Sequence, residues 1–254
     1  MGTKRAGAAS AGGGGVDVRR VARAPEDRPV KEWVREAMGE LKRRASKATL
    51  EGMARYAIPS KKALGVPVGS IREIAKGIRR RTDGPSAHRL ALALWETGVY
   101  EARLLACFVD EPGLVTGKQM DGWAKEFDSW AVCDTACFHL FDRLPDRELM
   151  FGKVRSWARS KEEFVKRASF ALLASIALHD KECAEGDLVD GLASLERALE
   201  GEKEKRNFVV KGAVWALKGC VKRGGVVKKR ALETAGRLRE SENESAKWVG
   251  RQVR

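Results

Sequence analysis

The residues of this sequence best suited to chemistry are Trp130 and Asp134, four positions apart in the stretch SWAVCD. Residues four apart share one face of an α-helix, so the indole and the carboxylate are expected side by side. A carboxylate in such a place can stabilise a positive charge that develops during a reaction. The plain alternative is a core tryptophan beside a solvated or ion-paired aspartate.

The chain around this acid is strongly basic. It carries 49 Lys and Arg against 35 Asp and Glu, which gives a formal net charge of +14. A charge of this sign favours nucleic acid as the partner, ahead of an anionic membrane or an acidic protein. The basic residues are spread along the chain, which favours a folded basic surface. An acid at the centre of such a protein would lie in a cleft that holds a polyanion.

The histidines and cysteines do not assemble into a second kind of site. His88, His139 and His179 are isolated and form neither a metal site nor a nucleophilic triad. Cys133 and Cys137 are four apart, but no second pair of ligands accompanies them, which disfavours zinc. The five cysteines are scattered in apolar helical stretches, so we expect reduced, buried thiols. The sequence therefore predicts no metal.

The elements that position Trp130 and Asp134 are expected to be helices. Apolar residues recur with a helical period from Val30 to Leu41, and Ser70 and Glu73 have the spacing of a capping box. No stretch alternates apolar and polar residues for long enough to predict a strand. Helical patterns follow one another in units of roughly 35 to 45 residues. We predict an all-α fold, an α-solenoid of HEAT-like helical repeats with a basic concave face.

Two regions are predicted along the chain. Residues 1–28 contain AGAASAGGGG and cannot bury enough apolar surface to fold, so we expect a disordered basic arm. Residues 29–254 are expected to form a single HEAT-like helical domain. No apolar run reaches the roughly 18 residues of a membrane span, and no secretory signal is evident. These features predict a soluble, intracellular protein of a bacterial cytoplasm or nucleoid, or of a eukaryotic nucleus.

Five stretches form an ordered set of motifs: MARYAIPSKKALGVPVGSIREIAK, ALWETGVYEARLLACFV, SWAVCD, FVKRASFALL and NFVVKGAVWAL. In order and spacing, from about residue 30 to 235, they resemble the AlkD-like DNA alkylation-repair glycosylases. The second stretch carries a Trp-x-x-x-x-x-Glu-x-Arg spacing at Trp95, Glu101 and Arg103. We interpret Glu101 and Arg103 as salt-bridge partners between repeats, because residues two apart do not face each other on a helix.

The resemblance implies a site made of Trp130, Asp134, Arg167 and Trp215, with Tyr56 contributed by the N-terminal helices. The implied activity is hydrolysis of the N-glycosidic bond of N3- or N7-alkylated purines, in base excision repair. The implied partner is double-stranded DNA, bound by a monomer without a metal or an organic cofactor. The implied mode does not require the base to be flipped into a deep pocket.

Cations near the implied site are expected to contact DNA phosphates; they are Lys166, Arg167, Lys211, Lys228, Lys229 and Arg230. Arg167 would hold a phosphate through two parallel bonds and so place the lesion against Asp134. A structural ion pair is the alternative for this arginine. The run Arg79–Arg81 allows a phosphate contact or capping of a helix end, and we favour capping.

A lone carboxylate suits the implied chemistry. A purine alkylated at N3 or N7 is cationic and leaves without a second, acidic carboxyl group. Asp134 would stabilise the cationic sugar and orient the attacking water. The rings of Trp130 and Trp215 would contact sugar and base, a cation–π effect of about 0.5–2 kcal/mol. No lysine is placed as a Schiff-base nucleophile, so we expect a monofunctional enzyme.

Two positions depart from the family pattern and leave other functions open. The family often has a tryptophan and an aspartate beside its signature tryptophan, and here Ser129 and Ala131 stand there. Some relatives of this fold bind DNA without excising bases. The second hypothesis is therefore a non-catalytic protein that binds DNA structures. The third is an α-solenoid adaptor for an acidic protein.

Overall fold

The computed structural model describes residues 28–201 and 204–253, and within them the chain forms thirteen α-helices. They are α1 (Val30–Arg43), α2 (Lys47–Gly52), α3 (Val68–Arg79), α4 (Gly84–Glu96), α5 (Tyr100–Val109), α6 (Gly117–Lys125), α7 (Trp130–His139), α8 (Arg147–Trp157), α9 (Glu163–His179), α10 (Glu185–Glu200), α11 (Asn207–Arg223), α12 (Gly225–Arg239) and α13 (Glu244–Arg251). No strand occurs in these residues, which confirms the all-α prediction. The predicted arm, apart from Arg28, lies outside the described residues.

The helices from α3 onward form two stacked rows. In the first row α3, α5, α7, α9, α11 and α13 pack each on the next. In the second row α4, α6, α8, α10 and α12 pack against the back of the first. This pairing of successive helices is the HEAT-like solenoid that the sequence predicts. None of the helices in the described residues is long and apolar enough to cross a membrane.

Helix α9 is the centre of the core. Every residue from Val165 to Ala177 is buried, including Lys166 and Arg167. A helix buried on all sides must pair its charged groups inside the protein, and both side chains are bound to carboxylates. Gly219 of α11 allows the close approach of these two helices, because a Cβ there would lie 3.1 Å from the Ala174 carbonyl oxygen.

Helix α7 carries the SWAVCD stretch, and Ser129 is its N-cap. The Ser129 hydroxyl accepts a bond from the Val132 amide at 3.4 Å, and Ser129 is fully buried. The residue that departs from the family pattern therefore has a structural role at the start of this helix. Trp130 and Asp134 follow one turn apart, on the face that the spacing predicts.

Helix α3 begins earlier than the predicted capping box allows. It starts at Val68, directly after Pro67, so Ser70 lies inside the first turn and no side chain caps the helix. Proline suits this boundary because its fixed φ is compatible with the start of a helix. Glu73 instead pairs with Arg44 at 3.2 Å. The capping box predicted at Ser70 is wrong.

The loop that precedes α3 is held by Glu101 of α5. The carboxylate is fully buried and accepts bonds from the backbone amides of Leu64 (2.8 Å), Gly65 (2.6 Å) and Val66 (3.1 Å). Gly65 has φ +78°, a conformation that favours glycine. Within the described residues Glu101 forms no ion pair, so the predicted salt bridge between repeats is wrong for this residue.

Arg103 belongs to a packed cluster away from this loop. It pairs with Glu126 and lies 5.0 Å from the ring centroid of Trp95. Trp95 stacks on Trp123 with centroids 4.0 Å apart. The Trp-x-x-x-x-x-Glu-x-Arg motif is thus part of the packing of the repeats.

Candidate functional site

A cleft of about 390 Å³ opens among the helices of the first row. Its wall is aromatic and is formed by Tyr56, Tyr100, Trp130, Phe138 and Trp215. Asp134 lies among these rings, and it is the only acidic side chain among the described residues that line this aromatic cleft. Four of the five residues that the resemblance implies therefore line one cavity. The fifth, Arg167, lies behind Asp134.

Asp134 and Arg167 form a bidentate ion pair. Arg167 Nε donates to Asp134 Oδ1 at 2.9 Å, and Nη2 donates to Oδ2 at 2.7 Å. The two side chains are only 11 % and 7 % exposed. Two parallel bonds between a guanidinium and a carboxylate fix both groups in orientation as well as in distance. Asp134 is thus held rigidly at the edge of the aromatic cleft.

The position of Arg167 corrects the phosphate contact predicted for it. Its remaining nitrogen, Nη1, donates to the Phe208 carbonyl oxygen at 2.6 Å. All three guanidinium nitrogens therefore bind the protein itself, and the side chain is almost completely covered. The alternative of a structural ion pair describes this arginine, which positions Asp134 and does not face a phosphate.

The electrostatics of Asp134 follow from its burial. Burial raises the pKa of this carboxyl above its ordinary value, and the hydrogen bonds from Arg167 oppose the rise. Each carboxylate oxygen has two lone pairs, and Arg167 uses one on each. The others remain for a group inside the aromatic cleft. In a partly dry cleft an anion acts on a nearby cation more strongly than it does in water.

The aromatic wall is fixed by contacts among its own members. Trp130 Nε1 donates to the Tyr56 carbonyl oxygen at 2.7 Å, which joins α7 to the N-terminal segment. Phe138 stacks on Trp215 with centroids 4.4 Å apart and planes 11° from parallel. Trp215 and Tyr56 are 36 % and 65 % exposed. Exposed, oriented rings of this kind are suited to bind a flat or cationic group.

Lys166 occupies a different place from the one predicted. Its side chain is fully buried and its ammonium lies 3.2 Å from Glu204. Burial of Glu204 opposes its ionisation, but hydrogen bonds from Arg206 and Lys166 lower its pKa to about 2. The predicted phosphate contact is wrong for Lys166, because a fully buried ammonium cannot reach DNA.

The remaining predicted phosphate contacts are exposed. Lys211 lies on α11 one turn before Trp215, on the same side of the helix. The run Lys228, Lys229 and Arg230 lies on α12, in the second row, and does not line the aromatic cleft. Contacts of these four cations with DNA stay predictions.

Sequence reasoning missed Phe138 and Tyr100 as members of the site. Phe138 follows Asp134 by one further helical turn, so the same spacing rule identifies it. Tyr100 carried no comparable signal, because its partners come from distant helices. Burial raises the pKa of the Tyr100 hydroxyl to about 12, so this group is neutral and can donate a hydrogen bond at physiological pH.

His139 also lines the aromatic cleft. Its Nε2 lies 3.1 Å from Nη2 of Arg72, and its ring is 4.9 Å from that of Phe108. Burial, followed by the charges of Arg72, Arg143 and His179, lowers the pKa of this imidazole to about 4. His139 is therefore neutral at pH 7 and accepts the hydrogen bond of Arg72.

Replacing His139 by glutamine is expected to flatten the pH dependence of stability. The folded pKa of about 4 lies below the ordinary 6.5, so neutral His139 contributes stability above pH 6.5. That contribution is lost as the pH falls from 6.5 towards 4, because only the unfolded chain takes up the proton. Urea midpoints across this range, measured for both proteins, provide the test. Parallel curves would contradict the assignment.

Three comparisons with known proteins bear on this site. The family described as "DNA alkylation repair enzyme" matches residues 37–249. Among solved structures, the chain is similar to a protein described as belonging to "a new family of proteins related to the HEAT-like repeat DNA glycosylases with affinity for branched DNA structures". The TM-score is 0.66 at 16% identity, over 80% of this chain and 82% of that one, which shows the fold. No curated protein matches the chain significantly.

Proposed function

Because the chain belongs to the DNA alkylation repair enzyme family, we propose that it is a monofunctional DNA glycosylase that releases N3- or N7-alkylated purines from duplex DNA. The observation that carries this proposal is the solitary carboxylate of Asp134 among the rings of the aromatic cleft. An anion framed by indoles is suited to a cationic sugar next to a cationic base. The proposed partner is double-stranded DNA, and the proposed setting is base excision repair inside the cell.

The chemistry needs little from the protein. The C1′–N bond of an alkylated purine breaks, and its electron pair leaves with the base and neutralises the base's positive charge. The sugar becomes oxocarbenium-like, and Asp134 stabilises that charge across the cleft. Water then adds to C1′ and loses its proton, for which Asp134 is the anionic acceptor in the cleft. The faces of Trp130 and Trp215 contact the base and the sugar through cation–π interactions.

The fixed ion pair explains how one acid can act inside a basic protein. Arg167 orients the carboxylate from behind and uses one lone pair on each oxygen. No rotation of Asp134 is then required during the reaction, so the electrostatic field is present before the charge develops. Arg167 is in this view a positioning residue.

The test is direct measurement of base release. The protein is incubated with duplex DNA methylated by a simple alkylating agent, and free bases are separated by chromatography. We expect 7-methylguanine or 3-methyladenine in the supernatant, with no strand cleavage. Unmethylated duplex is the control and should release nothing. Tight binding of methylated duplex without any free base would overturn the proposal.

A second function is favoured by one observation at the same site. Both oxygens of Asp134 are already engaged by Arg167, as in a purely structural ion pair. The solved relative described above has affinity for branched DNA. On this alternative the chain recognises DNA shape without excision. It predicts tighter binding to a four-way junction than to a linear duplex, and no base release from either.

A further inference from the structure

A basic groove of about 440 Å³ adjoins the aromatic cleft. Its cations are Arg72, Lys76, Arg79 and Arg80, all from α3 and its C-terminal end. We call this surface the α3 groove. Positions 72, 76 and 80 are successive turns of one face, separated by about 6 Å each. The cations therefore form a line along the helix rather than a scattered patch.

Three of these cations have no acidic partner among the described residues. Arg79 is engaged, because it donates to the Asp110 carbonyl oxygen at 2.9 Å and lies 3.6 Å from Glu111. Arg72, Lys76 and Arg80 form no ion pair within the same part of the chain. Like charges around one concavity raise the free energy of the protein unless an anion binds there. The groove thus has the charge of an anion site whose ligand comes from outside.

Arg72 is held in place for such a ligand. Its guanidinium lies 5.4 Å from the centroid of Phe108, and Nη2 is bound to His139 at 3.1 Å. These contacts occupy one nitrogen and one face of the guanidinium. Neither Phe108 nor His139 is an anion that would neutralise its charge. A side chain ordered before binding loses less conformational entropy when the ligand arrives.

His139 connects the two cavities, because it lines both the α3 groove and the aromatic cleft. A ligand that spans both must be anionic at one end and present a ring at the other. A nucleic-acid strand has this pattern, with a base for the rings and phosphates for the cations. The line of cations on α3 also gives successive phosphates successive partners.

We propose that the α3 groove binds the phosphodiester backbone of the DNA strand that leaves the aromatic cleft, through Arg72, Lys76 and Arg80. This assignment rests on the proposed function only in taking DNA as the ligand; it does not require excision. It adds three phosphate contacts on α3 to the contact predicted for Lys211 on α11.

The test compares two triple variants that remove equal charge. The groove variant carries Arg72→Gln, Lys76→Gln and Arg80→Gln. The control variant carries Arg155→Gln, Arg159→Gln and Arg197→Gln, three arginines that line a separate groove of about 330 Å³ beside α8 and α10. Those arginines also have no acidic partner among the described residues, but they line neither the aromatic cleft nor the α3 groove. Both variants change the net charge equally.

The measurement is the affinity for an undamaged labelled duplex, by fluorescence anisotropy at several salt concentrations. The slope of log affinity against log salt concentration decreases in magnitude by about 0.9 for each lost phosphate contact. For the groove variant this slope should therefore be smaller by about 2–3. The control variant should keep the parental slope. Equal loss in both variants would show an effect of net charge alone and would overturn the proposal. An unchanged slope in the groove variant would also overturn it.

Two further measurements keep the result interpretable. If the groove variant does not fold, the double variant Lys76→Gln, Arg80→Gln replaces it, because both side chains are exposed and should lower the slope by about 2. Base release by the parental protein is scored separately. No release, together with a reduced slope, overturns the proposed glycosylase and leaves the α3 groove standing. Base release together with an unchanged slope supports the proposed glycosylase and overturns the α3 groove as a phosphate site.

Discussion

Replacing Asp134 by asparagine is expected to slow the release of alkylated bases by about 10²–10³-fold, the effect of removing one preorganised electrostatic group. The amide keeps the size of the side chain and one oxygen for Arg167, but it carries no charge to stabilise the sugar. Affinity for undamaged duplex should stay close to the parental value, because Asp134 faces the cleft and repels rather than attracts phosphate. Single-turnover release and binding titrations separate the two effects.

This substitution also breaks a buried ion pair, which costs about 3–5 kcal/mol in stability, so base release must be measured where the variant is folded. The control removes the carboxylate of another bidentate pair. Asp180 and Arg147 form that pair, with bonds of 2.7 and 3.0 Å; Asp180 is 12% exposed and Arg147 is 47% exposed. Asp180→Asn should leave base release unchanged. Release by Asp134→Asn at the parental rate, with the protein folded, would remove the carboxylate from the mechanism.

The sequence was sufficient to predict the fold and the face on which the site lies, because both depend on local spacing. Helical periodicity gives α1 from Val30, and four-residue spacing places Trp130 and Asp134 together on α7. Ser129 shows the limit of pattern comparison. As a departure from a family motif it counts against the site, whereas in the structure it caps the helix that carries the site.

Apart from the capping box predicted at Ser70, the errors concern contacts between residues distant in sequence. A lysine next to an arginine in a basic protein predicts phosphate contacts, but α9 is buried on every side. Lys166 therefore pairs with an internal acid, Glu204, and Arg167 pairs with Asp134, 33 positions away. Nothing in local spacing identifies such pairs. Charge composition predicts a basic surface, but it does not say which cations reach the surface.

The same limit applies to Arg79–Arg81, which the sequence alone predicts to cap the end of a helix. Arg79–Arg81 follow a helix, so capping of the helix end is the local explanation. For Arg81 the structure agrees, because its Nε donates to the Gly77 carbonyl oxygen of α3 at 3.1 Å. Arg79 instead donates to the carbonyl oxygens of Val109 and Asp110 at the end of α5. Arg80 differs because it faces a cavity that Phe108 and His139 help to form. That cavity forms only where α3 packs against α5 and Arg72 contacts His139 of α7.

Replacing Glu101 by glutamine is expected to reduce the free energy of unfolding by about 3 kcal/mol, because hydrogen bonds to a charged group are worth about 1.5–3 kcal/mol each. Glutamine retains one acceptor oxygen, which can serve Gly65 and Val66. Its NH₂ group would face the Leu64 amide, and two donors would then oppose each other in a fully buried place. Chemical denaturation measures the loss.

The control is Glu96→Gln, which removes an exposed carboxylate that has no partner among the described residues. A surface change of this kind shifts stability by about 0.5 kcal/mol or less. Hydrogen exchange should then show where Glu101 acts: the amides of residues 64–66 are expected to lose protection first. A loss of stability without faster exchange at these amides would place the role of Glu101 elsewhere in the core.

The consequence for function follows from the position of that loop. Residues 57–67 join Tyr56 of the aromatic cleft to α3, which carries the proposed phosphate contacts, and Glu101 fixes the end nearest α3. A looser loop should therefore weaken DNA binding and base release together, unlike Asp134→Asn, which should affect release alone. If Glu101→Gln leaves both activities intact at a temperature where it remains folded, the aromatic cleft and the α3 groove are held by their own helices. In that case the ion pair behind Asp134 and the Trp130–Tyr56 bond are sufficient to maintain the site.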